Sequence, residues 1–362
     1  MSLNQIIVDI MVVFMVIGAI DKILGNKFGF GEKFEDGIMA MGALTMSMVG
    51  IISLAPVLAD LLGPVIVPLY KALGADPAMF AGTLLACDMG GYQLAFELAE
   101  DPSIAPFAGL MLGAMMGATI VFTIPVGLGI INKEDHKFLA KGVLAGIITI
   151  PIGAFVGGVV AGYAPFLILK NLTPIILVAV LIAIGLKAIP EKMIKGFIVF
   201  GKAVTAIAVI GLAAIIVETL TGIVIIPGMA PLSDGISIVG SIAIVLAGAY
   251  PLVYFITKVF SKPLMKVGSL LGISDVSAAG MVATLANNIP MFGMMKDMDD
   301  RGKVINVAFS VSAAFVFGDH LGFAAGVNKE MISALIVGKL VAGVTAVAVA
   351  CLITAKNKAV SK

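Results

Sequence analysis

Long apolar runs separated by short polar loops make up most of this chain. Several runs reach the roughly 20 residues that an α-helix needs to cross a bilayer. Windowed hydropathy predicts about nine spans, at 6–24, 37–58, 104–131, 138–163, 172–187, 196–220, 236–258, 304–325 and 331–355. The expected fold class is therefore an all-α integral membrane protein. Two further stretches, 77–101 and 274–300, are apolar but interrupted, and they set the rest of the pattern.

In the second stretch, a small-residue run ending in Thr284-Leu285-Ala286 meets Asn287-Asn288-Ile289-Pro290 and then resumes as Met291-Phe292-Gly293. Two adjacent Asn and a Pro at membrane depth are costly unless the freed backbone groups line a cavity or another protein surface. Pro290 removes one amide donor and disfavours helix at Ile289. The first stretch repeats the design: Leu85-Ala86-Cys87-Asp88-Met89-Gly90-Gly91-Tyr92 lies over Leu285 to Phe292, with Asp88 opposite Asn288 and Gly90-Gly91 as the breaker. With two residues gapped, Gly74 and Gly82 fall over Gly272 and Gly280, and Asn132-Lys133-Glu134 recurs as Asn328-Lys329-Glu330. Paired broken helices in two halves point to a transporter's substrate site. Two unrelated Gly/Pro loops are the simpler alternative.

The loops carry the orientation. Lys22, Lys27 and Lys33 follow the first span, Lys133, Lys137 and Lys141 the third, Lys187, Lys192 and Lys195 the fifth, and Lys258, Lys262 and Lys266 the seventh, with Lys356, Lys358 and Lys362 in the tail. The intervening loops are poor in Lys. By the positive-inside rule the tail is cytoplasmic and the amino terminus outside, provided both interrupted stretches enter and leave on one side. They then become two re-entrant hairpins of opposite entry, and the chain an inverted repeat: 1–165 as the first unit, 166–190 as a linking span, 191–356 as the second unit and 357–362 as the tail.

Composition narrows the class. With 60% hydrophobic and 12% charged residues the chain is not a soluble domain. The first run lacks a basic start and a cleavage site, so it reads as a span rather than a signal peptide. A net charge of +1 leaves no nucleic-acid footprint, and the separated Cys87 and Cys351 give no disulfide or metal framework. No metal, no cofactor and no enzyme chemistry are expected, since no nucleophile–base set is evident.

Candidate chemistry comes from polar residues that a bilayer excludes. Asp88, freed by Gly90 and Gly91, reads as the counter-ion of a cationic solute or as a carboxylate at the start of the following half-helix. Asn287 and Asn288 offer amide donors and acceptors to a hydroxyl or ammonium group, or merely hold the break at Pro290 together. Asp319-His320 falls within the expected eighth span, where an ionisable pair is a functional hypothesis by default. Asp319 would hold an ammonium and His320 would gate protonation, although a satisfied helix–helix pair fits as well. Thr119 lines the same depth or bonds to its preceding turn. Tyr92 or Phe292 would supply an aromatic face for a cation.

The segments Met39-Ala40-Met41-Gly42-Ala43, 82–91, 279–296, 302–306 and 317–325 resemble the EutH family, membrane proteins of bacterial ethanolamine utilisation. The resemblance covers nearly the whole chain. It implies uptake of ethanolamine across the cytoplasmic membrane, and it carries the family's shared motifs onto Asp88, Asn287, Asn288, Asp319 and His320. The chain reads as compact for the family, with short loops at 165–174 and 227–234. Ethanolamine is mostly an ammonium cation at neutral pH, which suits one carboxylate, hydroxyl partners and an aromatic face. Facilitated diffusion through a midplane site between the hairpins is the leading expectation. A proton-coupled carrier of another small polar solute, such as a nucleoside, is the runner-up, and a membrane enzyme a third. The partners expected are ethanolamine and membrane lipids, with a homodimer as an option.

Overall fold

A computed structural model describes residues 2–355. The expected tail at 357–362, with Lys358 and Lys362, and Lys356 just before it lie outside the described residues, as does the side chain of Lys262. Every regular element among the described residues is helical. In order they are α1 (Leu3–Ile23), α2 (Phe30–Ala72), α3 (Ala78–Leu84), α4 (Tyr92–Leu98), α5 (Phe107–Ile130), α6 (Lys133–Val160) and α7 (Pro165–Ala188). They continue as α8 (Pro190–Thr221), α9 (Leu232–Leu271), α10 (Asp275–Ala286), α11 (Asn288–Met294), α12 (Asp300–Ala313), α13 (Asp319–Val327) and α14 (Lys329–Ile353).

Seven helical stretches are long and apolar enough to cross a membrane: α2, α5, α6, α7, α8, the Leu232–Val259 part of α9, and α14. They take up seven of the expected spans. The expected first span is the 21-residue α1, and the expected eighth is not one helix but α12 and α13 with a break between them. The expected loop at 165–174 is also corrected, because Pro165 opens α7 and Pro174 lies inside it. A proline at the first helical turn costs no hydrogen bond, since that turn's amide would be unpaired anyway.

α5 is buried nearly throughout and forms the centre, whereas α7 and α8 leave Ile176, Leu177, Val180, Leu181, Val199 and Ile210 exposed. An apolar outer belt of this kind suits lipid rather than water. The two longest helices, α2 and α9, pack on each other and both hold α1. α14 packs on α6 and α12.

Both interrupted stretches fold as helix–break–helix hairpins with their ends side by side. Asp76 Oδ2 accepts from Asp101 N at 2.9 Å, joining the two ends of the first hairpin. Asp299 Oδ1 accepts from Ser274 N at 2.8 Å, joining those of the second. The helices that lead into the hairpins end alike. Gly74 and Gly272 have φ of +75° and +67°, and Ala75 N and Ile273 N each reach back five residues, to Tyr70 O and Gly268 O. That is the left-handed glycine cap that satisfies a helix's last carbonyls. Lys133–Asp135 and Lys329–Met331, the recurring Asn-Lys-Glu positions, both form a 3-10 turn.

Candidate functional site

α3 ends where Leu85 and Ala86 turn extended, and helical geometry resumes only after an irregular turn at Cys87–Gly91. Within that turn Gly90 has φ +84°, and a Cβ there would lie 2.1 Å from Ile51 Cγ2, so no other residue fits without displacement. Asp88 is carried on this turn.

The facing break lies in the second half. α12 stops at Ala313, Phe315 takes φ +63°, and α13 starts at Asp319. The amides freed by the break donate to the carbonyls left open at the end of α10, from Phe315 N to Thr284 O at 3.2 Å and from Phe317 N to Leu285 O at 3.0 Å. Backbone polar groups are thus satisfied inside the protein, as a membrane interior demands. Glycine permits the contact: a Cβ on Gly318 would lie 2.1 Å from Ala286 O, and one on Gly117 of α5 would lie 1.9 Å from Leu85 O at the other break.

Between the two breaks lies a cavity of about 40 Å³ lined by Ala86, Asp88, Met89, Ala118, Phe122, Phe315, Asp319 and His320. Phe122 and Phe315 stand edge to face, with ring centroids 5.6 Å apart, and Phe315 lies 5.0 Å from the His320 ring. His320 Nε2 is 3.9 Å from Asp88 Oδ1, and its Nδ1 is 3.0 Å from Lys339 Nζ of α14. Lys339 is buried and also donates to Ala114 O. Asp319 Oδ1 accepts from the Tyr250 hydroxyl of α9. Asp319 is shared with a second, open cavity of about 810 Å³, which runs from Lys33, Asp36, Tyr254 and Thr257 to Ala286, Asn287 and Pro290.

Chemically the arrangement could hold a small organic cation. Two carboxylates supply charge, aromatic edges and faces surround it, and donors from Tyr250 and Lys339 fix the orientation of the ionisable groups. One other chemistry is spatially open. Cys87, Asp88 and His320 bring a thiol, a carboxylate oxygen and an imidazole nitrogen within 4.8 Å of one another. That donor set suits a soft divalent cation.

Asp88 and the adjacent pair Asp319-His320 converge as one cluster from two distant points of the chain. The other expected positions do not join them. Asn287 lines the larger cavity, and its Oδ1 caps Ile289 N at 2.8 Å. Asn288 is fully buried and donates from Nδ2 to Thr123 Oγ1 at 3.1 Å. Thr119 Oγ1 lies 2.7 Å from Met115 O and 2.9 Å from Val311 O, a link between helices. Tyr92 packs against Phe323 and Phe96, while Phe292 is buried in the core beside Gly127, so neither ring lines either cavity. Gly91 N donates to Ala86 O at 3.0 Å, and Pro290 borders the larger cavity in the first turn of α11.

Four contributors escaped the sequence reading: Lys339, Tyr250, Phe122 and Phe315. Lys339 did carry a signal, as a lone cation in the middle of an apolar span. Tyr250 carried a weaker one, and the two Phe residues none in so apolar a chain.

Discontinuous helices that meet around paired carboxylates, inside a helical bundle with an apolar belt, define a multi-pass membrane protein of the transporter class. The family profile described as ethanolamine utilisation protein, EutH, matches residues 3–353, and the chain belongs to that family. It is 69% identical over 349 residues to the "Probable ethanolamine permease EutH" of Listeria monocytogenes, covering 96% of this chain and 94% of that protein. It is 54% identical to the protein of the same description in Salmonella typhimurium, across 99% of this chain and 97% of the relative. That alignment spans 397 positions, more than this chain's 362 residues, so the relative carries inserted residues. The "Uncharacterized protein YxeR" of Bacillus subtilis is also 54% identical, over 359 residues. The relatives with a functional name are named as probable permeases, not as enzymes. No solved structure matches the chain.

Proposed function

We propose that the chain carries ethanolamine across the cytoplasmic membrane as its ammonium cation, by facilitated diffusion, with the ammonium held between Asp88 and Asp319. One observation carries this reading: two carboxylates from separate helix breaks face one small cavity walled by Phe122 and Phe315. The names of the relatives, at 54–69% identity, favour the same substrate. A carboxylate pair compensates the charge of the cation, and the rings replace part of its hydration.

The order of elements supports a repeat read as 1–165, a linking span at 166–190, and 191–356. In each half a long helix (α2, α9) leads through the same glycine cap into a hairpin (α3–α4, α10–α11). A helix lining the site follows (α5, α12–α13), and then a long outer helix (α6, α14). Hairpins that enter from opposite faces would give a site reachable from either side.

The test is uptake of labelled ethanolamine into proteoliposomes of purified protein, with protein-free vesicles subtracted. Saturable flux that only equilibrates the cation is expected. Accumulation against the cation gradient that a protonophore abolishes would replace facilitated diffusion with proton coupling, and no flux above empty vesicles would overturn the reading. Asp88→Asn and Asp319→Asn should each weaken saturable uptake by about 2–5 kcal/mol in apparent binding. Undiminished uptake by a folded variant would remove that carboxylate from the site.

A further inference from the structure

Lys339 is the one buried lysine in the outer helix of the second half, and nothing in cation binding calls for an amine of the protein's own beside the cavity. Its side chain is 1% exposed, and Nζ is bounded by Ala114 O and by His320 Nδ1 at 3.0 Å. An ammonium has only hydrogens to offer. With Lys339 as the ammonium, the ring nitrogen that faces it accepts, and the single proton of a neutral imidazole resides on Nε2. That nitrogen faces Asp88 Oδ1, of another residue that lines the cavity, at 3.9 Å, too long for a direct hydrogen bond. The donor is thus oriented and left to a guest.

We propose that Lys339 is a positioning residue that fixes the His320 tautomer, so that Nε2–H donates to the hydroxyl oxygen of a bound amino alcohol and selects it over an alkylamine of the same size. The inference rests on the cation reading above and deepens it. Asp88 and Asp319 recognise the ammonium, which every primary amine shares, whereas Lys339 and His320 recognise the hydroxyl, which alkylamines lack. A methyl group in place of that hydroxyl would leave Nε2–H buried without an acceptor. A site built around a polar group rejects analogues in this way.

The probe pair is ethanolamine and n-propylamine, each used unlabelled to inhibit uptake of labelled ethanolamine into proteoliposomes without a pH gradient. The readout is the ratio of the two half-inhibitory concentrations. For the unmodified protein a preference for ethanolamine on the order of tenfold is expected from one hydrogen bond. Lys339→Met should bring the ratio close to one, while Lys339→Arg, which keeps a donor-only cation, should retain part of it. A purely structural role would weaken both amines equally and leave the ratio unmoved, and that result would overturn the inference.

Should Lys339→Met fail to fold, His320 decides the matter. His320→Gln, whose amide donor reaches toward the Nε2 position, should keep the preference, and the shorter His320→Asn should lose it. Equal ratios in these two variants would overturn the inference as well. Failure of the parent reading looks different, since the unmodified protein would then show no saturable ethanolamine uptake to inhibit.

Discussion

Lys303 and Asp135 meet at 2.7 Å with side chains only 11% and 6% exposed, and the ammonium also lies 5.2 Å from the Phe138 ring centroid. The pair ties α12 to the turn that opens α6. A buried ion pair of this kind adds little over a well-packed apolar pair, but half of one is costly, because the remaining charge has lost its water. Lys303→Met should therefore lower stability by about 3–5 kcal/mol, and adding Asp135→Leu should recover most of the loss. Thermal unfolding of the two variants in detergent would check this. A double variant no more stable than the single one would mean that the packing of the Lys303 stem, not the charge, matters there.

The base of the second hairpin illustrates how an element can depend on one side chain. Asp299 accepts from Ser274 N, Ser277 Oγ and Gly302 N, so it fixes the start of α10 to the start of α12. Partial burial alone would push its carboxyl up. The hydrogen bonds from Ser274, Ser277 and Gly302 outweigh burial and hold it below the usual carboxylate range. A carboxyl lowered in the folded state adds stability above its unfolded pKa of about 3.9, and that stability is lost as pH falls through the lower folded value. Asp299→Asn should thus unfold at a lower temperature than the unmodified protein near neutral pH, and the gap should narrow below about pH 4. A gap that stays constant with pH would show that the ionised form is not what holds the hairpin.

For the whole molecule, the larger cavity gives the resting state a direction. Its lining includes Lys33, in the first turn of α2 beside the Lys-rich segment that the positive-inside rule assigns to the cytoplasm, and Asp319. On that assignment we propose an inward-open arrangement. In a background with Cys351→Ser, Val282→Cys on the cavity wall should react with a membrane-impermeant maleimide from the cytoplasmic face only, and ethanolamine should slow the reaction. Labelling from the outer face alone would reverse the assigned orientation. The native Cys87 is fully buried and should stay silent.

The sequence alone determined what depends on local chemistry. Apolar run length settled the membrane class, Asn287-Asn288-Ile289-Pro290 and Gly90-Gly91 marked where helices stop, and Asp88, Asp319 and His320 stood out because charge is rare at that depth. The tertiary structure decided what depends on distant partners. The run Ala313-Ala314-Phe315-Val316-Phe317 contains no proline and only its flanking Gly318, yet it breaks, because the carbonyls of Thr284 and Leu285 need the amides of Phe315 and Phe317. That break turns Phe315 and Asp319 toward Asp88, and so it selects Phe122 and Phe315 as the aromatic walls in place of Tyr92 and Phe292. Lys339 likewise takes its meaning from His320 nineteen positions earlier, on another helix. Periodicity and residue type report what one segment requires of its surroundings, whereas the segment that meets the requirement is set by packing.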